Sequence, residues 1–235
     1  MSALLQVEAI ETHIGQYHIL QGVTFEVQTG HITVLLGRNG AGKTTTLRSI
    51  MGLSPVTTGT ITLSGERLEA LPTHLVARKG IGYVPEDQGV FYDLTVSETL
   101  RVAMRSQDEA SQERLEWALE LFPDLSKLWN RKSGLLSGGQ KQMLAIVRAY
   151  VNDNRLLLID EPSKGLAPIM VEKLMEALMQ MKEKTTVLLV EQNFMMASQI
   201  GERYYMMDEG RVVRGGSMVE LRDDEEARRK YLGIA

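Results

Sequence analysis

Three places in the chain bring together residue types that polyphosphate chemistry needs. The first is Gly37-Arg38-Asn39-Gly40-Ala41-Gly42-Lys43-Thr44-Thr45. Its glycines permit a loop tight enough for successive backbone N–H groups to converge on an anion, Lys43 supplies a point charge for terminal phosphate oxygens, and the Thr44 hydroxyl suits Mg²⁺. Ile32 to Leu36 read as a buried strand ahead of this loop, and Thr45 to Met51 read as the first turns of a helix behind it. The anion would then lie at a helix N-terminus, where unpaired N–H groups and the macrodipole favour negative charge. A glycine-rich turn that happens to carry a lysine is the competing reading.

The second place is Leu136-Ser137-Gly138-Gly139-Gln140, which opens a helical run through Ala149. Ser137 and Gln140 have the spacing of a capping box, enough by itself to explain a helix start. Two glycines in a first helical turn are costly, however, and useful where something must approach the backbone closely. A second anion site is therefore favoured. The third place is Leu156 to Glu161, an apolar strand ending in two carboxylates. A strand buried on both faces gains nothing from paired acids at its end unless their charge is used, and Mg²⁺ held partly by nucleotide phosphates would use it. Asp160 is expected in the metal's shell, and Glu161 is expected to polarise an attacking water.

These residues need a scaffold, and apolar periodicity supplies one. Strand-like segments fall near 4–10, 19–27, 32–36, 59–64, 81–84, 155–160, 185–190, 203–208 and 211–214, with helical patterns near 43–52, 73–79, 168–182 and 193–200. Such alternation predicts an α/β fold with a mainly parallel sheet and antiparallel strands on the N-terminal side. Between about 87 and 150 the strands stop, and one helix starts near Asp108 with Leu115, Ala118, Leu119 and Phe122 at helical spacing. The expected organisation is a single domain over 1–235, with a core of about 1–86 and 151–235 and a helical subdomain of about 87–150. Met179, Met181, Met195 and Met196 are expected to pack in the core. The run from Arg222 to Lys230 is expected to be a solvated helix of mixed charge.

Bulk properties exclude several function classes. The net charge of −4 argues against a broad grip on nucleic acid. With no cysteine there is neither a disulfide framework nor a thiolate metal site. Nothing at the N-terminus looks like a secretory signal, and no apolar run reaches bilayer length. A cytoplasmic protein is expected, with any membrane role borrowed from a partner.

The three places, in this order and spacing, resemble the nucleotide-binding domain of ATP-binding cassette (ABC) proteins over essentially the whole chain. The resemblance implies a P-loop NTPase core of the RecA type, ATP and Mg²⁺ as cofactors, and hydrolysis of ATP to ADP and phosphate. It also implies head-to-tail pairing with a second ABC ATPase, a copy or a paralogue, in which Ser137, Gly138, Gly139 and Gln140 of one subunit close on the γ-phosphate held by Lys43 of the other. Transmembrane permease subunits are the implied partners, with indirect attachment to the cytoplasmic face of the cell membrane.

Matching motif positions residue by residue assigns Thr44, Glu86 and Asp160 to Mg²⁺, Glu161 to water activation and Gln192 to γ-phosphate sensing. Glu86 stands where a glutamine is usual, with Gln88 two places on. Gln192 stands where a switch histidine is usual, and a carboxamide can hydrogen-bond a phosphate but does not titrate near neutral pH. Ala167 replaces a common aspartate. Ile14 occupies the place of an adenine-stacking aromatic, leaving Tyr17 or His13 as stand-ins. Glu86, Gln192, Gly165-Leu166-Ala167-Pro168 and Tyr231-Leu232-Gly233 look like the ATP-binding subunits of branched-chain amino-acid importers of the LivF type, or of the similar urea and amide importers. Asp87, Gln88, Gly89, Tyr92 and Lys164 depart from that type. Competing classes are a soluble ABC ATPase without a transport role and a lipopolysaccharide-export ATPase; the latter usually keeps histidine and aspartate at positions 192 and 167.

Overall fold

The computed structural model describes residues 3–233. Its strands are β1 (Ala3–Ile14), β2 (Tyr17–Gln28), β3 (Ile32–Leu36), β4 (Thr58–Leu63), β5 (Glu66–Arg67), β6 (Ile81–Val84), β7 (Leu156–Asp160), β8 (Thr186–Glu191), β9 (Arg203–Asp208) and β10 (Arg211–Ser217). Its helices are α1 (Lys43–Ile50), α2 (Thr73–Arg78), α3 (Val96–Ala103), α4 (Glu109–Leu121), α5 (Pro123–Lys127), α6 (Gly138–Tyr150), α7 (Pro168–Met181), α8 (Phe194–Ile200), α9 (Met218–Asp223) and α10 (Glu225–Ala227).

Strands β3, β7 and β8 are buried at every position, which is why their sequences are near-continuous apolar runs. They form the centre of a six-stranded sheet of order β10-β9-β3-β8-β7-β6, parallel except where β10 returns antiparallel to β9. The two-residue period divides their side chains between two cores. Val34, Leu157, Ile159, Val187 and Leu189 face the helical layer, whereas Leu35, Leu156, Leu158, Leu188 and Val190 face α1 and a second sheet. That second sheet is antiparallel, of order β2-β1-β4-β5. The expected α/β architecture, with its mainly parallel sheet and N-terminal antiparallel sheet, is the one observed.

From Asp87 to Tyr150 the described residues hold helices and a 3₁₀ turn at Ser133–Leu135, with one isolated strand-like bridge between Thr95 and Lys132. Local capping sets the helix starts: Thr95 and Glu98 form a capping box before α3, and Asp108 accepts the Ser111 N–H at 2.8 Å before α4. Helix α6 joins this helical stretch to the parallel sheet, since Leu144, Val147 and Tyr150 share a cluster with Ile32, Leu157 and Leu189.

Three expectations need correction. The methionine tracts are split, with Met181 and Met196 buried and Met179 and Met195 exposed. Neighbours one or two apart on a helix lie on different faces. The run 222–230 is not one solvated helix. It breaks at Asp224, whose side chain caps α10 through the Ala227 N–H, while Leu221 and Ala227 enter the core. The hairpin of β1 and β2 also extends beyond the segments expected at 4–10 and 19–27, out to Ile14 and Tyr17.

Candidate functional site

Because β3, β8, β7 and β6 run parallel, their C-terminal ends meet along one edge of the sheet. From that edge β3 delivers the loop 37–42, β7 delivers Asp160 and Glu161, β8 delivers Gln192, and β6 delivers Pro85 and Glu86. The loop needs its glycines. A Cβ on Gly37 would lie 2.4 Å from the Met207 carbonyl oxygen, and Gly42 caps α1 at φ 100°, a left-handed conformation. The loop and α1 wall a cavity of about 300 Å³ with Asn39, Gly40, Gly42, Lys43, Thr44 and Thr45. Glu86, Glu161, Lys164 and Ile19 complete the wall.

Lys43 is 4% exposed. It donates to the carbonyls of Gly37 at 2.9 Å and Arg38 at 3.2 Å and lies 3.3 Å from Glu161 Oε1. Ala41 is buried beneath the loop, and its N–H donates to the Arg38 carbonyl at 3.2 Å.

Asp160 occupies the same face of β7 as Leu156 and Leu158, which turns it toward α1. Its Oδ1 accepts the Thr44 hydroxyl at 3.1 Å, while its buried Oδ2 has no partner. Burial pushes the carboxyl up to about 6; the Thr44 hydrogen bond opposes the rise, and the nearby Glu161 and Glu86 add to it. An orphaned buried carboxylate oxygen beside a threonine hydroxyl suits a divalent cation. Among the described residues no three acidic or histidine groups gather closely enough to hold a metal unaided. Such a cation would need ligands from a bound molecule, and phosphate oxygens fit. Glu86 borders both the main cavity and an adjoining cleft lined by Thr44, Asp160 and Tyr83.

Glu161 has a left-handed backbone, φ 44°, and its N–H donates to the Val190 carbonyl at 2.9 Å. A non-glycine residue there is strained by about 1 kcal/mol or more, a cost concentrated at functional positions. Lys164 pairs with Glu86 and stands 3.8 Å from Glu161, and Glu86 raises its ammonium pKa. Sequence reasoning noted Lys164 only as a departure, and its place in the cavity wall was missed. The signal was its position three residues after Glu161.

Comparison with known proteins supplies the family. The family model described as ABC transporter matches residues 20–164. The chain belongs to the ABC transporter family. The Pseudomonas aeruginosa high-affinity branched-chain amino acid transport ATP-binding protein BraG is 39% identical over 232 residues, covering 98% of this chain and 100% of BraG. The probable LivF protein of Archaeoglobus fulgidus is 36% identical, covering 98% and 99%. The lipopolysaccharide export ATP-binding protein LptB of Escherichia coli K12 is 32% identical, covering 92% and 91%. Among solved structures, an ATP binding subunit of an ABC transporter superposes with TM-score 0.84 at 30% identity, covering 98% and 96%. The dimeric cassette MJ0796 gives 0.80 at 25% identity, covering 91% and 98%.

Several residues of this ABC cassette lie outside the cavity. Ser137 to Gln140 begin α6, and the capping box is formed: Ser137 Oγ accepts the Gln140 N–H at 3.3 Å and Gln140 Oε1 accepts the Ser137 N–H at 3.0 Å. The two glycines differ in surroundings. A Cβ on Gly139 would come 2.7 Å from Met170 Cε, the tip of a flexible side chain that could move aside, whereas a Cβ on Gly138 would meet open space. Gln192 is exposed just past β8 and does not line the cavity. Ile14 and Tyr17 pair across the hairpin tip, exposed, and Ile19 reaches the cavity instead of either. His13 stacks on His18 with ring centroids 4.1 Å apart. Gln88 has its carbonyl fixed by Arg148 of α6 at 2.8 Å, and Arg148 also bonds the Gly89 carbonyl. Among the described residues no helix is long and apolar enough to cross a membrane.

Proposed function

We propose that this chain hydrolyses ATP and drives an ABC importer for branched-chain or related amino acids. The observation that carries the reading is the meeting of Lys43, Thr44, Asp160 and Glu161 at one sheet edge, with an orphaned carboxylate oxygen among them. The amino-acid cargo is supported by the 39% and 36% identity to BraG and LivF. Urea and amide importers share the same implied chemistry.

The N–H groups of residues 37–45 would take the ATP phosphates at the start of α1. Lys43 would exchange its Gly37 and Arg38 carbonyls for β- and γ-phosphate oxygens. Mg²⁺, held by Thr44, Asp160 and Glu86, would neutralise charge on the same oxygens. Glu161 would accept the proton of the attacking water, and the Gln192 amide would donate to the γ-phosphate. Ser137 and Gly138 of a second ATPase, a copy or a paralogue, would close the site from outside, so that hydrolysis loosens the pair. We further assign residues of about 87–150 to a helical subdomain moving against a core of about 1–86 and 151–235. The dimeric MJ0796 cassette supports pairing. Permease subunits would hold the dimer at the cytoplasmic face of the membrane.

The test is Glu161→Gln. It is expected to bind MgATP, to lose hydrolysis by about 100-fold or more, and to collect as a dimer by size-exclusion chromatography. Unaltered turnover overturns the assignment. Similarity to LptB carries a second reading, export of lipopolysaccharide. The lower identity and Gln192 favour import, and copurification from membranes identifies which permeases bind.

A further inference from the structure

We propose that Glu191 is a positioning residue for hydrolysis, its buried carboxylate holding the segment behind Glu161 and the segment carrying Gln192 in one register. The inference rests on the ATPase reading and adds a residue that takes no direct part in it.

Glu191 ends β8 on the face that Val187 and Leu189 give to the helical core, where an apolar side chain would be expected. It is 2% exposed. A carboxylate so placed is tolerated only if its oxygens are well supplied with donors. Three backbone N–H groups supply them: Oε1 accepts from Ser163 at 3.0 Å, and Oε2 accepts from Gln192 at 3.1 Å and Asn193 at 3.0 Å. Burial raises the carboxyl pKa, and the Ser163 side chain together with the three backbone donors works against that rise. An ionised carboxylate accepts at both oxygens and donates at neither, so no neutral side chain of this shape reproduces the arrangement.

The three donors belong to the two segments whose relative placement matters. Ser163 follows Glu161 by two residues, and Gln192 and Asn193 open the segment that enters α8, whose first turn Asn193 caps through the Met196 N–H. Glu161 itself sits at φ 44°, a conformation glutamate leaves unless its neighbours fix it. The Lys164 N–H closes a turn on its carbonyl at 3.2 Å, and two attachments tie that turn to the end of β8: the Glu161 N–H on the Val190 carbonyl and the Ser163 N–H on Glu191. Losing the Ser163 bond unties the C-terminal side of that turn from β8 while its internal hydrogen bonds remain. The Glu161 carboxylate would then leave its place 3.3 Å from Lys43 as the Gln192 segment loosens.

Glu191→Gln is isosteric but turns an N–H toward a backbone N–H on one side or the other. With MgATP, kcat is expected to fall about tenfold to 100-fold while KM stays within about threefold. In a Glu161→Gln background the same change is expected to cost less than it does alone, because part of its effect runs through Glu161 and only the part through Gln192 remains. Hydrogen exchange, read without nucleotide, is expected to quicken together in segments 161–167 and 190–195 and to stay unchanged in 37–45. Unchanged kcat, a loss that multiplies with Glu161→Gln, or loosening of only one segment overturns the proposal. A wild-type protein that hydrolyses no ATP removes the ATPase reading, and the exchange experiment then still decides whether Glu191 joins the two segments. Should Glu191→Gln fail to fold, Glu191→Asp, which keeps the charge and shortens the reach, is judged by the same readouts.

Discussion

The two helix starts that carry the chemistry are finished to different degrees. At the start of α1 the charged and hydroxyl side chains have partners within the chain: the Lys43 ammonium lies against two carbonyls and Glu161, and Thr44 is bonded to Asp160. At the start of α6 the chain supplies only the capping box, and Gly138 faces open space. On the proposed reading, one site is furnished by its own fold and the other is completed by a second molecule. The difference explains why a single subunit should bind nucleotide yet need a partner to hydrolyse it.

Mutations can separate the two. The largest effect is expected from Lys43→Ala, which should weaken MgATP binding about 100-fold or more by removing charged hydrogen bonds to phosphate, as read by equilibrium dialysis. Ser137→Ala should leave the affinity of one subunit within about threefold and lower hydrolysis by the assembled transporter about tenfold to 100-fold. Equal losses of affinity in the two variants would erase the contrast.

A smaller effect concerns Asp160. Its carboxyl titrates at about 6 when folded, against about 3.9 for an unfolded aspartate. The folded state therefore binds that proton more tightly, and the stability this gives is present below about pH 4 and lost as pH rises through about 6. Asp160→Asn should raise metal-free stability at pH 7.5 by on the order of 2 kcal/mol, leave it little changed at pH 4, and reduce the part of MgATP stabilisation in thermal melts that depends on Mg²⁺. In the unaltered protein Mg²⁺ affinity should weaken about tenfold per unit below pH 6, because the cation competes with that proton. Calorimetric titration at pH 5 and pH 7 measures it. The smallest effect is expected at Lys164. Lys164→Leu removes an exposed ammonium from between Glu86 and Glu161 and should tighten Mg²⁺ by no more than about fivefold, by the same titration.

The buried strands were legible because their apolar runs and flanking turns leave few alternatives. Ile32 to Leu36 and Leu156 to Asp160 were located to within a residue of their ends. Loop 37–45 was legible because its glycines answer a steric demand that the sequence states openly. What stayed hidden depends on contacts between distant segments. Nothing local says that Glu191 gathers N–H groups from residues 163, 192 and 193, or that Ile19 reaches the cavity while Ile14 and Tyr17 do not. Gly138 and Gly139 look alike in the chain, and only Met170, 31 residues beyond Gly139, tells them apart.

The guanidinium of Arg148 has a mechanical consequence. It grips the carbonyls of Gln88 and Gly89 from a point 11 residues along the helix from Ser137, a lever arm of roughly 16 Å at the usual rise per residue. A helix clamped at its far end behaves as a crank. On the proposed reading, a displacement of the stretch after β6 would be passed along this helix to Ser137, at the end that faces a second subunit.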